Sequence, residues 1–310
     1  MKSSSFEQTK TGSFYAIAAY SVWGLFPAFW KIFHDIPHFQ VLAHRILWSA
    51  LFFALLLRFK SKARFLADVR EALLHWRPLL LSSVLISTNW FVYIYAVNSG
   101  RVLESSLGYF IAPLVNVLLG LTFLKEKLRP PQWLAVGLAT LGVIQLSLNN
   151  GQNGAVPYLA LTLALSFGLY GLVRKRTAVN PLTASTTEAL ILMVPAALLL
   201  IVLKTQPVSA LKWNIIALLV ISGAVTGLPL LWFAEAGKRL PLSSLGFFQY
   251  IAPSLQFLLA VFLYNEPFSK AYARSFICIW LALGIYAYDM FTNSRKQYRY
   301  ARLSACKSSE

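Results

Sequence analysis

Apolar residues along the chain fall into long runs separated by short polar or basic segments. Ten runs stand out, and each is close to the roughly 20 residues that an α-helix needs to cross a hydrocarbon core of about 30 Å. A helix also satisfies its own backbone hydrogen bonds, which lipid requires. The pattern predicts ten transmembrane helices, over residues 14–33, 39–57, 79–97, 107–124, 133–148, 155–173, 184–203, 215–234, 245–264 and 272–291.

The sequence of the first five runs is repeated in the second five. Residues 88–110 align with residues 226–248 without a gap, and an Ile-Ala-Pro triplet follows in both copies. In the second copy Gln249 and Tyr250 are inserted before that triplet. An odd number of spans per copy inserts the two copies in opposite directions. We therefore predict an all-α polytopic protein of two inverted five-helix repeats, an architecture typical of secondary transporters.

Composition agrees with a membrane protein, because 57% of the residues are hydrophobic and only 13% are charged. Most of the 28 Lys and Arg residues fall on one side of the predicted spans, which places both termini in the cytoplasm. The net charge of +17 then indicates attraction to anionic lipid at that face, and binding of nucleic acid is not expected. The predicted segments are a cytoplasmic N-terminal segment (1–12), a first repeat (13–148), a polar hinge (149–154), a second repeat (155–291) and a basic cytoplasmic tail (292–310).

Four separated segments carry a family resemblance. They are residues 20–27 (YSVWGLFP), 43–45 (AHR), 106–110 (SLGYF) and 249–253 (QYIAP). Together with the duplicated five-helix unit, they resemble the EamA branch of the drug/metabolite transporter superfamily and, within it, the RarD-type permeases that are associated with chloramphenicol sensitivity. The resemblance implies a bacterial inner-membrane permease of ten helices with a central cavity. It is also the only basis for expecting export rather than uptake.

Two ionisable residues lie deep within predicted spans, where a charge costs roughly 2.5 to 3.5 kcal/mol and is usually functional or paired. Arg45 is either a fixed cation that binds an anionic solute or a residue that snorkels or ties helix ends together. Glu188, at the equivalent position of the second half, is either a proton-coupling carboxylate or a structural partner of a neighbouring helix. His44 is a second candidate for proton transfer, against a simple packing role.

Aromatic and amide side chains inside the spans complete the predicted cavity. Flat or apolar solutes could be held between the rings, with amides supplying neutral hydrogen bonds, although helix packing alone would also explain many of these residues. The predicted lining, besides Arg45 and Glu188, is Trp23, Asn89, Trp90, Tyr93, Tyr109, Asn116, Tyr170, Gln249 and Tyr250.

Proline and glutamate recur at matching places of both copies. Pro113 and Pro253 lie near the middle of the fourth and ninth spans, where each is expected to kink its helix. Glu126 and Glu266 close the same two spans and are expected to have a helix-end or gating role, pairing with local Lys or Arg.

Motifs of other function classes are missing from the sequence. We find no nucleophile–base, metal-ligand or phosphate-loop motif, so an enzyme, a metal site, a cofactor or an ATP-driven pump is not expected. The predicted function is secondary transport of small metabolites or drug-like solutes by alternating access, with protons as the candidate coupling ion. A proton-independent facilitator or exchanger for organic anions or amino acids, or a channel or flippase, stays the alternative. The chain acts as a monomer or a homodimer.

Overall fold

The fold is a bundle of long helices. A computed structural model describes residues 5–33, 35–98, 102–149, 158–203, 211–259, 262 and 270–307, and no strand occurs among them. The α-helices are α1 (Ser5–Trp30), α2 (His38–Ser61), α3 (Phe65–Leu73), α4 (Trp76–Asn98), α5 (Val102–Phe123), α6 (Pro130–Asn149), α7 (Tyr158–Arg176), α8 (Pro181–Val202), α9 (Trp213–Arg239), α10 (Leu242–Gln249), α11 (Ile251–Leu258) and α12 (Lys270–Lys307). Two 3₁₀ turns, Lys31–Phe33 and Lys62–Arg64, follow α1 and α2.

The all-α polytopic prediction is confirmed. Within the described part of the chain, five helical stretches are long and apolar enough to cross a membrane by themselves, and a shorter apolar helix covers Leu107–Phe123. Large apolar side chains stay exposed on the outside of the bundle, as expected of surfaces that face lipid. The stretches that meet the criterion are Phe39–Leu73, Pro130–Leu148, Pro181–Val202, Trp213–Arg239 and Ala273–Lys296.

The helical hydrogen-bond pattern of the ninth predicted span lapses at one residue that keeps helical backbone angles, and the predicted kink at Pro253 stays a prediction. The lapse falls at Tyr250, between α10 and α11, and so at one of the two residues inserted in the second half. Pro253 then lies in the first turn of α11, where a proline without an N–H is tolerated. In the first half α5 continues through Pro113, and its predicted kink stays a prediction.

A short helix that the spans did not predict lies between α2 and α4. α3 buries Ala72 and exposes Leu66, Leu73 and several charged side chains. Such an amphipathic segment fits the boundary between lipid headgroups and water.

The largest contacts between helices of different identity come in pairs that correspond when the halves are exchanged. α1 packs on α9 as α4 packs on α7, α2 packs on α9 as α4 packs on α8, and α5 packs on α7 as α11 packs on α1. The remaining large contacts, α2 with α8, α5 with α10 and α6 with α12, join helices that the sequence alignment makes equivalent.

Small residues set the closest of these contacts. At the crossing of α2 and α9, a Cβ on Gly223 would lie 2.4 Å from the carbonyl carbon of Trp48. The hydroxyl of Ser49 donates to the carbonyl of Gly223 across the same crossing, at 3.3 Å. This contact fixes the part of α2 that carries Arg45 against α9.

Candidate functional site

Arg45 is a buried cation among aromatic rings. Its guanidinium carbon lies 4.2 Å from the ring centroid of Trp90 and 5.0 Å from that of Trp30, with Phe26 at 5.8 Å. The residue is 9% exposed, and its Nε has no hydrogen-bond partner. Among the residues that the structure describes, no carboxylate forms an ion pair with it. Aromatic faces stabilise such a cation without neutralising its charge.

Arg45 opens into a cavity of about 80 Å³ between the two halves, here called the arginine chamber. Ring edges and faces form most of its wall, and Tyr93 and Tyr109 meet edge to face with their centroids 5.7 Å apart. Helices from both halves contribute. The lining consists of Tyr20, Trp23, Phe26, Trp30, Arg45, Ile86, Asn89, Trp90, Tyr93, Tyr109, Phe167, Leu230, Gln249, Ala252, Pro253 and Gln256.

Glu188 lines a smaller cavity of about 30 Å³, here called the glutamate chamber. Its carboxylate accepts hydrogen bonds from the Arg174 guanidinium, at 3.2 Å, and from the Ser82 hydroxyl. Arg174 is itself buried and donates further to Ser185 Oγ and to the carbonyl of Pro181. The charge of Glu188 is thus matched by an opposite charge and by hydrogen bonds, as a buried ion pair requires.

The two chambers adjoin each other. Ile86, Trp90 and Leu230 line both, so that these side chains form a partition between the arginine and the glutamate chamber. Both chambers are small beside the 300 Å³ or more that is typical of a ligand site. Displacement of the partition would join them into one larger space.

A cluster of rings lies beside both chambers. Trp23 contacts Tyr20 and Phe167 edge to face, and Phe233 stacks on Tyr170 with an angle of 15° between the rings. Phe167 lines the arginine chamber and Tyr170 the glutamate chamber. Trp23 and Tyr170 therefore pack against neighbouring rings and also line a chamber.

The amide groups predicted to meet solute mostly join helices instead. Asn89 Nδ2 donates to the carbonyl of Leu163 at 2.9 Å, and Asn116 Nδ2 donates to Gln249 Oε1 at 2.8 Å. Asn89 and Gln249 line the arginine chamber, whereas Asn116 lies outside both chambers. In a bundle surrounded by lipid, hydrogen bonds of this kind hold helices together.

Three further predictions are neither confirmed nor contradicted. Tyr250 is fully buried within the ninth span and lines neither chamber, and its place in a cavity lining stays a prediction. His44 is 6% exposed and also lines neither chamber. Its role in proton transfer stays a prediction. Glu266 lies outside the described residues.

Glu126 lies at a helix end, where its carboxylate caps another helix, and its gating role stays a prediction. Its carboxylate accepts hydrogen bonds from the backbone N–H of Leu242, at 2.6 Å, and of Ser243, at 3.0 Å, as well as from the Ser243 hydroxyl. These groups lie at the N-terminus of α10, where a carboxylate is favoured. A residue that follows the fourth span thus caps the ninth.

Basic side chains cap helix C-termini next to Glu126. Lys175 Nζ, at the end of α7, donates to the carbonyls of Gly237 and Leu240 at the end of α9. Lys238 Nζ, at the end of α9, donates in return to the carbonyl of Thr177. Cations at helix C-termini satisfy carbonyls that lack partners within the helix. With Glu126, these lysines form a helix-end clasp that ties α7, α9 and α10 together.

The sequence did not identify the partner of Glu188 or the cage of Arg45. Arg174 belongs to the charge run Arg174, Lys175 and Arg176, which is typical of a cytoplasmic loop and does not single out one of its residues. Its spacing from Glu188 could not reveal the pair, because the turn between α7 and α8 folds them together. Trp30 could have been found through its place near the end of the first span, on the same side as Arg45.

Comparison with known proteins agrees with these features. The model of the EamA-like transporter family matches residues 10–148 and 156–287. The chain is 45% identical to the uncharacterized transporter YojE of Bacillus subtilis (strain 168), over 91% of this chain and 95% of that protein. It is 43% identical to protein RarD of Salmonella typhimurium, over 94% and 99% of the two chains, and 29% identical to the chloramphenicol-sensitive protein RarD of Pseudomonas aeruginosa, over 93% and 97%.

A solved crystal structure has the same fold. It superposes with a TM-score of 0.70 and covers 91% of this chain and 96% of its own, at 21% sequence identity. At that identity the likeness concerns the fold alone.

Proposed function

Because the chain belongs to the EamA-like transporter family and is a membrane transporter, we propose that it is a secondary active transporter that moves small solutes through the arginine chamber by alternating access. We place it in the bacterial inner membrane with both termini in the cytoplasm, and we propose export as its direction.

One observation carries the proposal. Arg45 is a buried cation at a cavity between the halves, and no described carboxylate neutralises it. A charge inside a membrane protein that lacks an internal partner is costly, and its usual compensation is a ligand or a transport role. The planar guanidinium holds its proton at all relevant pH values and offers paired donors, which suits a carboxylate-bearing solute.

Support for two alternating halves comes from sequence and packing together. The duplicated sequence, the double family match and the contacts that correspond when the halves are exchanged all fit two inverted repeats, 13–148 and 155–291. The lapse in the helical pattern of the ninth span lies beside the chamber, the place at which helices are discontinuous in many transporters. The chamber is small here, so a larger solute needs the halves to move apart.

The helix-end clasp is our candidate for the gate at the cytoplasmic face. Glu126, which follows α5 of the first half, caps α10 of the second half, and Lys175 and Lys238 join the ends of α7 and α9 within the second half. Such charge-assisted bonds can be exchanged for water when the face opens. Opening would therefore cost less than separating a packed core.

For Glu188 we propose the structural role of its two alternatives. Its ion pair with Arg174 and its bond with Ser82 already satisfy the carboxylate. Protons stay our candidate coupling ion, with His44 as the remaining candidate group for their transfer. If Glu188→Gln abolished pH-driven transport while the protein stayed folded, the coupling role would be restored.

Reconstitution in liposomes tests the proposal. The purified protein is given amino acids, organic anions and amphenicols under an imposed pH gradient. We expect accumulation of at least one anionic solute, and a loss of at least about 30-fold in its flux for Arg45→Gln, since desolvated charge contacts contribute about 2 to 5 kcal/mol. Arg295→Gln is the matched control, because it removes an exposed cation outside the chamber.

Other results would decide for the alternatives. Equal anion flux in Arg45→Gln and the unaltered protein would exclude Arg45 as the binding group. Flux that equilibrates solute but ignores the gradient would indicate a facilitator or exchanger. Inverted insertion is tested separately by labelling cysteines placed at Glu126 and Glu266, which we expect to react from opposite faces.

A further inference from the structure

Three residues that line the arginine chamber each carry a buried hydrogen-bond donor without a partner. The Nε of Arg45, the indole Nε1 of Trp30 and the hydroxyl of Tyr20 are all buried, and none has a hydrogen-bond partner. All three residues line the same cavity. Buried polar groups without partners are rare in folded proteins, and three around one cavity point to a ligand that supplies acceptors.

Aromatic rings lie against the guanidinium of Arg45. Trp30 and Trp90 lie 5.0 and 4.2 Å from its central carbon and cover it as cation–π partners. A planar guanidinium carries its N–H groups in the plane, where they form the paired bonds that match a carboxylate. The cage therefore leaves Arg45 free to bind an anion edge-on.

The same chamber offers little to a positive charge. Its lining as described contains no Asp or Glu. Gln249 Oε1 accepts from Asn116, and the acceptors that remain in the lining are neutral amide and hydroxyl oxygens, which supply no counter-charge. An ammonium group in this chamber would lose its water without gaining a counter-charge, and it would lie near a like charge.

We infer that the arginine chamber takes a monoanion with a flat apolar body, such as an arylcarboxylate, and that it discriminates against solutes that carry a protonated amine, zwitterionic amino acids included. The inference rests on the proposed transport function in that it assigns the substrate class of the same chamber. The carboxylate bonds to Arg45, with Trp30 Nε1 and the Tyr20 hydroxyl as further donors. The ring of the solute packs among the aromatic walls.

A series of four compounds with one phenyl ring tests the inference by binding, because weak acids and amines cross lipid unaided. The full-length protein in nanodiscs is titrated with labelled phenylacetate, and phenylalanine, 2-phenylethylamine and 2-phenylethanol compete. We expect phenylacetate to bind at least about tenfold more tightly than either amine, since a desolvated charge without a partner costs well over 1.4 kcal/mol. The neutral alcohol should fall between them.

Two variants locate the binding. Arg45→Gln should abolish the preference for the anion. Trp30→Phe keeps the ring but removes the N–H donor, and it should weaken phenylacetate about fivefold, as expected for one hydrogen bond, while leaving the alcohol unchanged. This second variant keeps the test valid if Arg45→Gln does not fold.

The outcomes separate the inference from the function on which it rests. If phenylalanine binds as well as phenylacetate, or if no compound of the series binds while another solute is transported, the substrate class is overturned and the transporter proposal stands. If the series binds in the expected order but no solute crosses reconstituted membranes, the chamber assignment stands and transport is overturned.

Discussion

Arg45 and Glu188 occupy equivalent positions in the two halves, and the structure treats their charges in opposite ways. Arg45 is surrounded by aromatic faces and faces a cavity without a described acidic partner. Glu188 is neutralised by Arg174 and hydrogen-bonded by Ser82. A duplicated fold has thus kept one charge unpaired and has used the other to join helices. Only the unpaired charge has the properties of a ligand site.

A second residue in each half accounts for the different treatment of the two charges. Trp30 and Arg174 lie at equivalent places, each seven residues beyond the aligned Trp23 and Phe167. An indole ring attracts a cation through its face but leaves the net charge in place. An arginine cancels a carboxylate and forms directed bonds with it. The halves thus differ at both places, and it is the arginine at the second place that turns the buried charge into part of a structural pair.

Removal of Arg174 should have the largest effect. Arg174→Met leaves Glu188 buried without its counter-charge, and we expect a loss of about 3 to 5 kcal/mol in the free energy of unfolding, measured by titration with SDS in mixed micelles. Arg174→Met combined with Glu188→Leu should recover most of that loss, because an apolar pair of similar volume replaces the ion pair. If the single variant were as stable as the unaltered protein, Glu188 would not depend on Arg174.

Arg45→Gln should reduce transport without reducing stability. Because no ion pair is broken and a costly buried charge is removed, the free energy of unfolding should stay the same or rise by about 1 kcal/mol. Transport of anionic solutes should fall by at least about 30-fold in the same preparation. Arg45→Lys serves as the control that keeps the charge but lacks the planar donors, and it should retain part of the flux. A destabilisation as large as that of Arg174→Met would show Arg45 to be structural.

Most of the fold could be predicted from the sequence, since lipid leaves few solutions for an apolar run of about 20 residues. The helical pattern lapses at Tyr250, one of the two residues inserted in the second half. An insertion alone does not tell whether a helix bulges, kinks or breaks. α3 was hidden because its apolar residues are too few for a span.

The two buried charges of the site could be predicted from the sequence, but the residues that bind or join helices around them could not. Arg45 and Glu188 could be recognised because an ionisable residue inside an apolar run is conspicuous. The roles of Arg174 and Lys175, and the helix that Glu126 caps, could not, because each residue lies at a helix end where basic and acidic residues are common and where the partner depends on tertiary packing. For the same reason the amides of Asn89 and Asn116 looked free, although neighbouring helices bind their N–H groups.

Ser82→Ala tests the environment of Glu188 with a smaller change than the removal of Arg174. It removes one hydrogen bond to Glu188 but leaves Arg174 in place, so we expect a loss of about 1.5 kcal/mol, near the upper end for hydrogen bonds between membrane helices. Ser83→Ala is the matched control. Ser83 is equally buried, and its hydroxyl donates within α4 to the carbonyl of Leu79. Equal losses in both variants would mean that Ser82 contributes by packing alone.

Ser185→Ala should have the smallest effect of the set. The Arg174 Nη2 that donates to Ser185 Oγ at 3.0 Å also donates to the carbonyl of Pro181 at 3.1 Å, and Nη1 keeps its bond to Glu188. We therefore expect a loss of about 0.6 kcal/mol in the free energy of unfolding, the average for a hydrogen bond between membrane helices. If Ser185→Ala cost more than Ser82→Ala, Arg174 would be positioned mainly by α8 and only secondarily by the carboxylate. The ion pair of Arg174 and Glu188 would then be stabilised by the bonds of Arg174 to the start of α8 as much as by the opposite charges. The difference between this pair and the unpaired Arg45 would be correspondingly smaller.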